Sequence, residues 1–143
     1  MNLKIISPKL HCILDYAVSA IQIIGPKLLG LPANVQKTGL AVGSTVLTLT
    51  SLTKSPVAAK PMIPFKTHYA LDVPAVAGLA LLTFSEDIRT NKKALIFHLG
   101  ILTMVAVNVL LTDTGTDKQK KAVRKTMQAL KDKDRKAANA ILN

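Results

Sequence analysis

Residues 94–112 read ALIFHLGILTMVAVNVLLT, a run without a single charge, interrupted only by His98, Gly100, Asn108 and two threonines. Such a run predicts a helix able to cross a bilayer, which takes roughly 17–25 predominantly apolar residues. Three earlier segments read the same way with more interruption. They cover about 10–31, broken by Gly25-Pro26-Lys27; about 39–52, rich in small and hydroxyl residues; and about 69–84, containing Pro74. The second and third are short by this rule, so they must borrow flanking polar residues or sit in a locally thinned bilayer. A water-soluble bundle of four very apolar helices is the competing reading, but no broad polar face repeats at helical period. The expected fold is all-α, a four-helix transmembrane bundle of two helical hairpins. Hairpin 1 covers about 8–53 and hairpin 2 about 64–112, within a membrane domain over 1–113. A basic amphipathic helix over 114–143 follows.

Composition agrees. The 143 residues fit one domain. Hydrophobic residues make up 49%, yet aromatics are 3% and tryptophan is absent, whereas a water-soluble core of this size draws on more large rings. Mean hydropathy is +0.32 despite a lysine-rich tail and a net charge of +11. The single cysteine, Cys12, excludes an internal disulfide framework and reads as a small buried hydrophobe. The first segment could pass for a signal peptide, with Lys4 and Lys9 ahead of it and Val18-Ser19-Ala20 as a cleavage site. Asp15 inside it, and apolar residues well past Ala20, mark it instead as a retained helix.

With four spans, both termini and the middle connection face one side. That side carries Lys4, Lys9, Lys54, Lys60 and Lys66. It also carries Lys118, Lys120, Lys121, Arg124, Lys125, Lys131, Lys133, Arg135 and Lys136 of the tail. The other side has Lys27, Lys37, Arg89, Lys92 and Lys93. Basic residues collect on the cytoplasmic side, so the expected location is a bacterial-type inner membrane with both termini cytoplasmic.

Segments one and three open alike. Pro8-Lys9-Leu10-His11-Cys12-Ile13-Leu14-Asp15 and Pro64-Phe65-Lys66-Thr67-His68-Tyr69-Ala70-Leu71-Asp72 share His-x-x-Leu-Asp at an offset of 57 residues, an offset that also pairs Gly43 with Gly100. This suggests an internal repeat of a helical hairpin. Together with Asp15 near the first helix start and Gly25-Pro26-Lys27-Leu28-Leu29-Gly30-Leu31 at its end, the arrangement resembles the SPW-repeat proteins, small bacterial membrane proteins built from two helical hairpins. The resemblance implies a membrane location and four helices, and little about activity.

A charge within hydrocarbon costs about 2.5–3.5 kcal/mol on insertion scales, so the embedded polar residues need a reason. Asp15 and Asp72 each lie four residues after a histidine, one turn along the same face, so each is expected to bond its own His11 or His68. Asn108, Thr48 and Thr50 reach a similar depth, which predicts a polar layer of His11, Asp15, His68, Asp72 and Asn108 with these threonines. Gln22 and His98 share a depth in the other leaflet and are expected to hydrogen-bond. Three readings of the layer stay open: polar glue between helices, a histidine–carboxylate proton or ion relay, and a haem or metal site on His11 and His68. Gly39 and Gly43 form a Gly-x-x-x-Gly pair that lets helices approach closely, either within the bundle or in a homodimer, and Gly100 is expected to pack likewise. Pro26 and Pro74 are expected to kink or end helices.

In the tail, Val123, Met127, Leu130 and Ala137 or Ile141 recur at helical spacing among basic residues, which suits anionic lipid headgroups or a protein partner in a membrane complex. Nucleic acid is disfavoured, because the tail has no recognition motif and no stacking aromatic. The chain holds no Gly-x-Gly-x-x-Gly, P-loop, Gly-x-Ser-x-Gly or His-Glu-x-x-His motif, and no nucleophile beside a base. The functional expectation is therefore a structural or interaction membrane protein without evident catalytic activity. The alternative is a proton- or ion-conducting, or haem- or metal-binding, one using the two His-x-x-Leu-Asp pairs.

Overall fold

The computed structural model describes residues 4–115, 122, 124–133 and 135. It divides into two compact units, Met1–Asp113 and Thr114–Asn143. The first contains α1 (Pro8–Leu28), α2 (Ala33–Leu52), α3 (Phe65–Leu82), α4 (Glu86–Arg89) and α5 (Lys92–Leu111). The described residues hold no strand, only two isolated parallel bridges. The all-α expectation stands, and each apolar segment is a helix with shifted ends. In the second unit residues 124–133 are helical.

Local chemistry sets the helix ends. Ser7 caps α1, its Oγ accepting from Leu10 N at 3.3 Å, with Pro8 preset for the first helical position. At the other end Gly30 takes φ 61°, so that its N–H reaches Lys27 O at 3.1 Å and Leu31 N–H reaches Pro26 O at 2.9 Å. That is a Schellman turn, which favours glycine at this left-handed position. Asn91 caps α5 by accepting from Ala94 N at 3.0 Å. The helix α2 starts well before the apolar run because Asn34, Gln36, Lys37 and Thr38 wind into its first turns. Pro74 neither ends nor interrupts α3, and α1 continues past Pro26 to Leu28. The short α4 has no apolar period of its own and was not foreseen.

Pro26 has no N–H to give Gln22 O, the carbonyl four residues back. Helix α2 comes in on that side. A Cβ built on Gly39 would lie 2.5 Å from Gln22 O, and one on Gly43 would lie 2.8 Å from Ile23 Cγ1 and 3.0 Å from Ser19 O. The Gly-x-x-x-Gly pair therefore packs α2 on α1 inside the unit, as one of the two expectations had it. Gly100 does not share that role, because a Cβ there meets nothing within 4 Å. Shared spacing alone does not make a contact; the partner helix must also approach.

The two ends of the unit differ in chemistry. At the α4 end, Leu31, Val35, Ile88 and Ala94 form an apolar cluster with Leu82, Leu95 and Phe97 against it. At the other end one backbone arrangement occurs twice. Ile6 N donates to Leu111 O at 2.9 Å and Ile6 O accepts from Asp113 N at 2.8 Å. Ile63 N donates to Leu52 O at 2.8 Å and Ile63 O accepts from Lys54 N at 2.7 Å. The segment before α1 is thus tied to the end of α5, and the segment before α3 to the end of α2.

Among the described residues one helix, Lys92–Leu111, is long and apolar enough to cross a membrane. Of the four spans expected, this one alone qualifies by length and apolarity among the described residues. Lys9, Asp15 and Lys27 in α1, the polar start of α2, and Lys66, His68 and Asp72 in α3 lower the apolarity of the other long helices.

Gly39→Ala should lower the melting midpoint of the purified protein, at a cost of about 1–3 kcal/mol, because the colliding atom is backbone. Gly100→Ala, where a Cβ meets nothing, should raise stability by about 0.4–1 kcal/mol through helix propensity. Thermal unfolding followed by helical circular dichroism compares the two.

Candidate functional site

The His-x-x-Leu-Asp motifs place a histidine in the first turn of α1 and of α3, with an aspartate one turn deeper on the same face. The two helices bring these faces together. His11 and His68 are fully buried, and Asp15 and Asp72 nearly so. His11 Nε2 lies 3.0 Å from Asp72 Oδ2 and 3.2 Å from Asp15 Oδ2. His68 Nε2 lies 3.0 Å from Asp15 Oδ2 and 3.2 Å from Asp72 Oδ2. The expected pairs within each helix exist, but the shorter contacts are the crossed ones, so the four groups form one ring that joins the helices.

The other ring nitrogens are held as well. His11 Nδ1 is 2.7 Å from Thr112 Oγ1, and His68 Nδ1 is 2.7 Å from Thr53 Oγ1. Thr112 Oγ1 donates to Asn108 O at 2.5 Å and Thr53 Oγ1 donates to Leu49 O at 2.7 Å. A hydroxyl has one hydrogen, and each of these is spent on a carbonyl that can only accept. Each threonine must therefore accept from its histidine, so both Nδ1 atoms carry hydrogen and both Nε2 atoms face the carboxylates. With a second hydrogen on each Nε2, two imidazolium and two carboxylate groups make a ring of charge-assisted bonds with no net charge.

Phe65 lies along the ring system, 5.9 Å from His68 in a stacked arrangement and 5.3 Å from His11 edge-on. Asn108 Nδ2 donates to Asp15 Oδ1 at 2.9 Å and to His11 O at 3.3 Å, so this part of the expected layer is assembled. Thr50 Oγ1 reaches Asp15 Oδ2 at 3.5 Å. Thr48 does not belong to the layer, since its hydroxyl is exposed and bonds Ser44 O in its own helix. Thr53 and Thr112 were missed because they follow the last apolar residues of their helices and look like helix ends. Their only signal was that each follows the last leucine of its helix, and the 57-residue offset did not pair them, since they lie 59 residues apart.

The expected Gln22–His98 bond is absent. His98 Nε2 donates instead to Leu79 O at 2.8 Å, near the end of α3 where the backbone ladder runs out, while Gln22 Oε1 is buried without a partner among the described residues. The two side chains line one cavity of about 30 Å³ rather than touching. Ser19 Oγ and Asn108 Oδ1 are likewise buried and unpartnered among the described residues.

Haem does not fit between the histidines. Their ring centres are 5.4 Å apart, and the carboxylates occupy the space a macrocycle would need. A bare ion is a different case, since one ligand atom from each of the four residues lies within 4.8 Å of all the others.

Of the tail residues expected to meet lipid or a partner, Arg124, Lys125, Lys131, Lys133 and Arg135 fall within the described residues. Lys118, Lys120, Lys121 and Lys136 lie outside them, as do Val123, Ala137 and Ile141. Met127 and Leu130 are exposed on the described helix. No family model matches the chain, and no curated protein or solved structure shows significant similarity to it.

Thr53→Val and Thr112→Val keep shape but remove the acceptor for a buried N–H. Each should destabilise by about 1–3 kcal/mol, with Thr→Ser restoring most of it. Unfolding midpoints of the single variants and of the serine replacements test this.

Proposed function

We propose that the chain is a small multi-pass membrane protein of structural or interaction type, of the two-hairpin kind that the SPW-repeat resemblance implies. In it α1, α2, α3 and α5 cross the bilayer and the His–Asp ring locks the hairpins together. One observation carries the reading. The most apolar helix, α5, has a mean hydropathy of 2.3 over its best window, and only 28% of that window is buried. In water such a helix belongs in a core. Here its Ile96, Val107 and Leu110 face outward, with Leu28, Leu81 and Phe84 of the neighbouring segments also exposed.

The interior supports the same reading. Its buried residues include His11, Asp15, Ser19, Gln22, Thr50, His68, Asp72, His98 and Asn108, polar groups that outnumber what a core facing water can bury at low cost. Lipid reverses that preference, leaving apolar chains outside and polar ones to join helices. Helices of 18–21 residues are long enough at 1.5 Å per residue to cross a core of about 30 Å, with the shortest relying on thinning. The tie between Ile6 and Asp113 supports termini on one side, and the excess of basic residues there favours the cytoplasm for it. Taken by itself, the described tail helix carries exposed Met127 and Leu130 among basic residues, which suits an anionic leaflet.

Two measurements test this. The protein should stay with membranes through high-salt and carbonate washes and leave them only in detergent. A reporter active only in the periplasm should be silent when fused after Asn143. Release without detergent as a compact monomer overturns the membrane reading; a strong periplasmic signal reverses the orientation.

A second reading, passage of protons or ions, is favoured by one observation. Ser19 Oγ and Gln22 Oε1 continue inward from Asp15 along one helix face, buried and without partners among the described residues. Liposomes holding the protein should then dissipate a pH gradient faster than empty ones, and Asp15→Asn should abolish the difference. Equal rates for protein-bearing and empty liposomes remove this reading.

A further inference from the structure

We infer that His11, Asp15, His68 and Asp72 are the ligands of one divalent transition-metal ion of the zinc class. The inference shares the ring with the structural reading above but does not rest on lipid around the helices.

Four features carry it. The first is convergence. Neighbouring ligand atoms around the ring are 3.0–3.2 Å apart. Bonds of 2.0–2.1 Å set at tetrahedral angles put ligands about 3.3 Å apart, close to the spacing of neighbours here, while the opposite atoms, up to 4.8 Å apart, must draw in by about 0.7 Å each to close on an ion. The second is the tautomer. An imidazole that binds a metal through Nε2 donates its Nδ1–H to an outer partner, and Thr112 and Thr53 are such partners for both rings. Those threonines are fixed in turn by Asn108 O and Leu49 O, so the rings are aimed before any ion arrives.

The third feature is charge. Two carboxylates cancel the ion's two charges, so the loaded site with neutral imidazoles has no net charge to bury. The fourth is access. The histidine side chains have no exposed surface, but those of Asp15 and Asp72 keep 11% and 12%, which gives an ion a way in past the carboxylates. The donor set then selects the ion. Two imidazoles with two carboxylates suit zinc, ferrous iron or nickel; magnesium and calcium prefer oxygen alone, and cuprous ions prefer sulfur, of which the set has none.

The test uses the full chain in detergent, stripped with a chelator and checked by circular dichroism for helix content. Titration with Zn²⁺ in a calorimeter should give one ion per chain, and Co²⁺ should give the intense visible bands of a four-coordinate site. Asp15→Asn and Asp72→Asn should each weaken Zn²⁺ binding by about 100-fold or more, and Thr53→Val by roughly 10–100-fold as an outer partner. His98→Ala, which alters a histidine outside the ring, should bind as the parent does. If the aspartate variants lose their helices, the parent protein still decides: Co²⁺ should shift two slowly exchanging imidazole N–H proton signals in its NMR spectrum. A folded parent that takes up no Zn²⁺, or that binds it equally well in both folded aspartate variants, overturns the inference. Neither result bears on whether the chain needs detergent, which tests the membrane reading separately.

Discussion

Bringing four ionisable side chains to one buried point costs several kcal/mol per charge unless each charge meets a partner in good geometry. This chain meets that demand with symmetry. Each carboxylate faces two imidazoles, each imidazole faces two carboxylates, and the outer nitrogen of each ring is held by a threonine. Much else at this end follows. The threonines must sit at the ends of α2 and α5, so those ends must lie beside the starts of α3 and α1. The bridges at Ile63 and Ile6 hold them there.

The opposite end is held by different means. There a Schellman turn at Gly30 feeds Leu31 and Val35 into an apolar cluster closed by Ile88 of α4. Between the two ends, each hairpin treats a freed backbone carbonyl in its own way. In hairpin 1 Pro26 strips Gln22 O of its helical donor, and Gly39 lets α2 come close to it. In hairpin 2 the equivalent carbonyl, Leu79 O, takes the His98 side chain. The close approach makes α1 and α2 a tight pair, whereas a groove of about 500 Å³ lies open between α2 and α3.

The helices and the ring's four members were legible in the sequence because they rest on local patterns. An uncharged run predicts a helix, and His-x-x-Leu-Asp puts two polar groups on one face. The crossed contacts were not legible, because pairing within a helix and pairing between helices satisfy the same spacing. The Gln22–His98 bond was argued from depth alone, and depth does not fix azimuth: His98 turns instead toward Leu79 O. Gly100 matched Gly43 in the repeat, yet its face meets no backbone. Helix α4 escaped notice because four residues carry no periodic signal.

The crossed geometry also bears on ancestry. A lone hairpin contributes one histidine, one aspartate and one threonine, and its threonine is placed for the other hairpin's ring. It cannot complete the centre by itself. Two identical hairpins related by a twofold axis would supply every member of it, so the centre could have been complete before the halves were joined. A homodimer of that kind needs no linker such as 55–61. Once fused, the halves are free to differ, as they now do where Gly39 approaches Gln22 O in one and His98 bonds Leu79 O in the other.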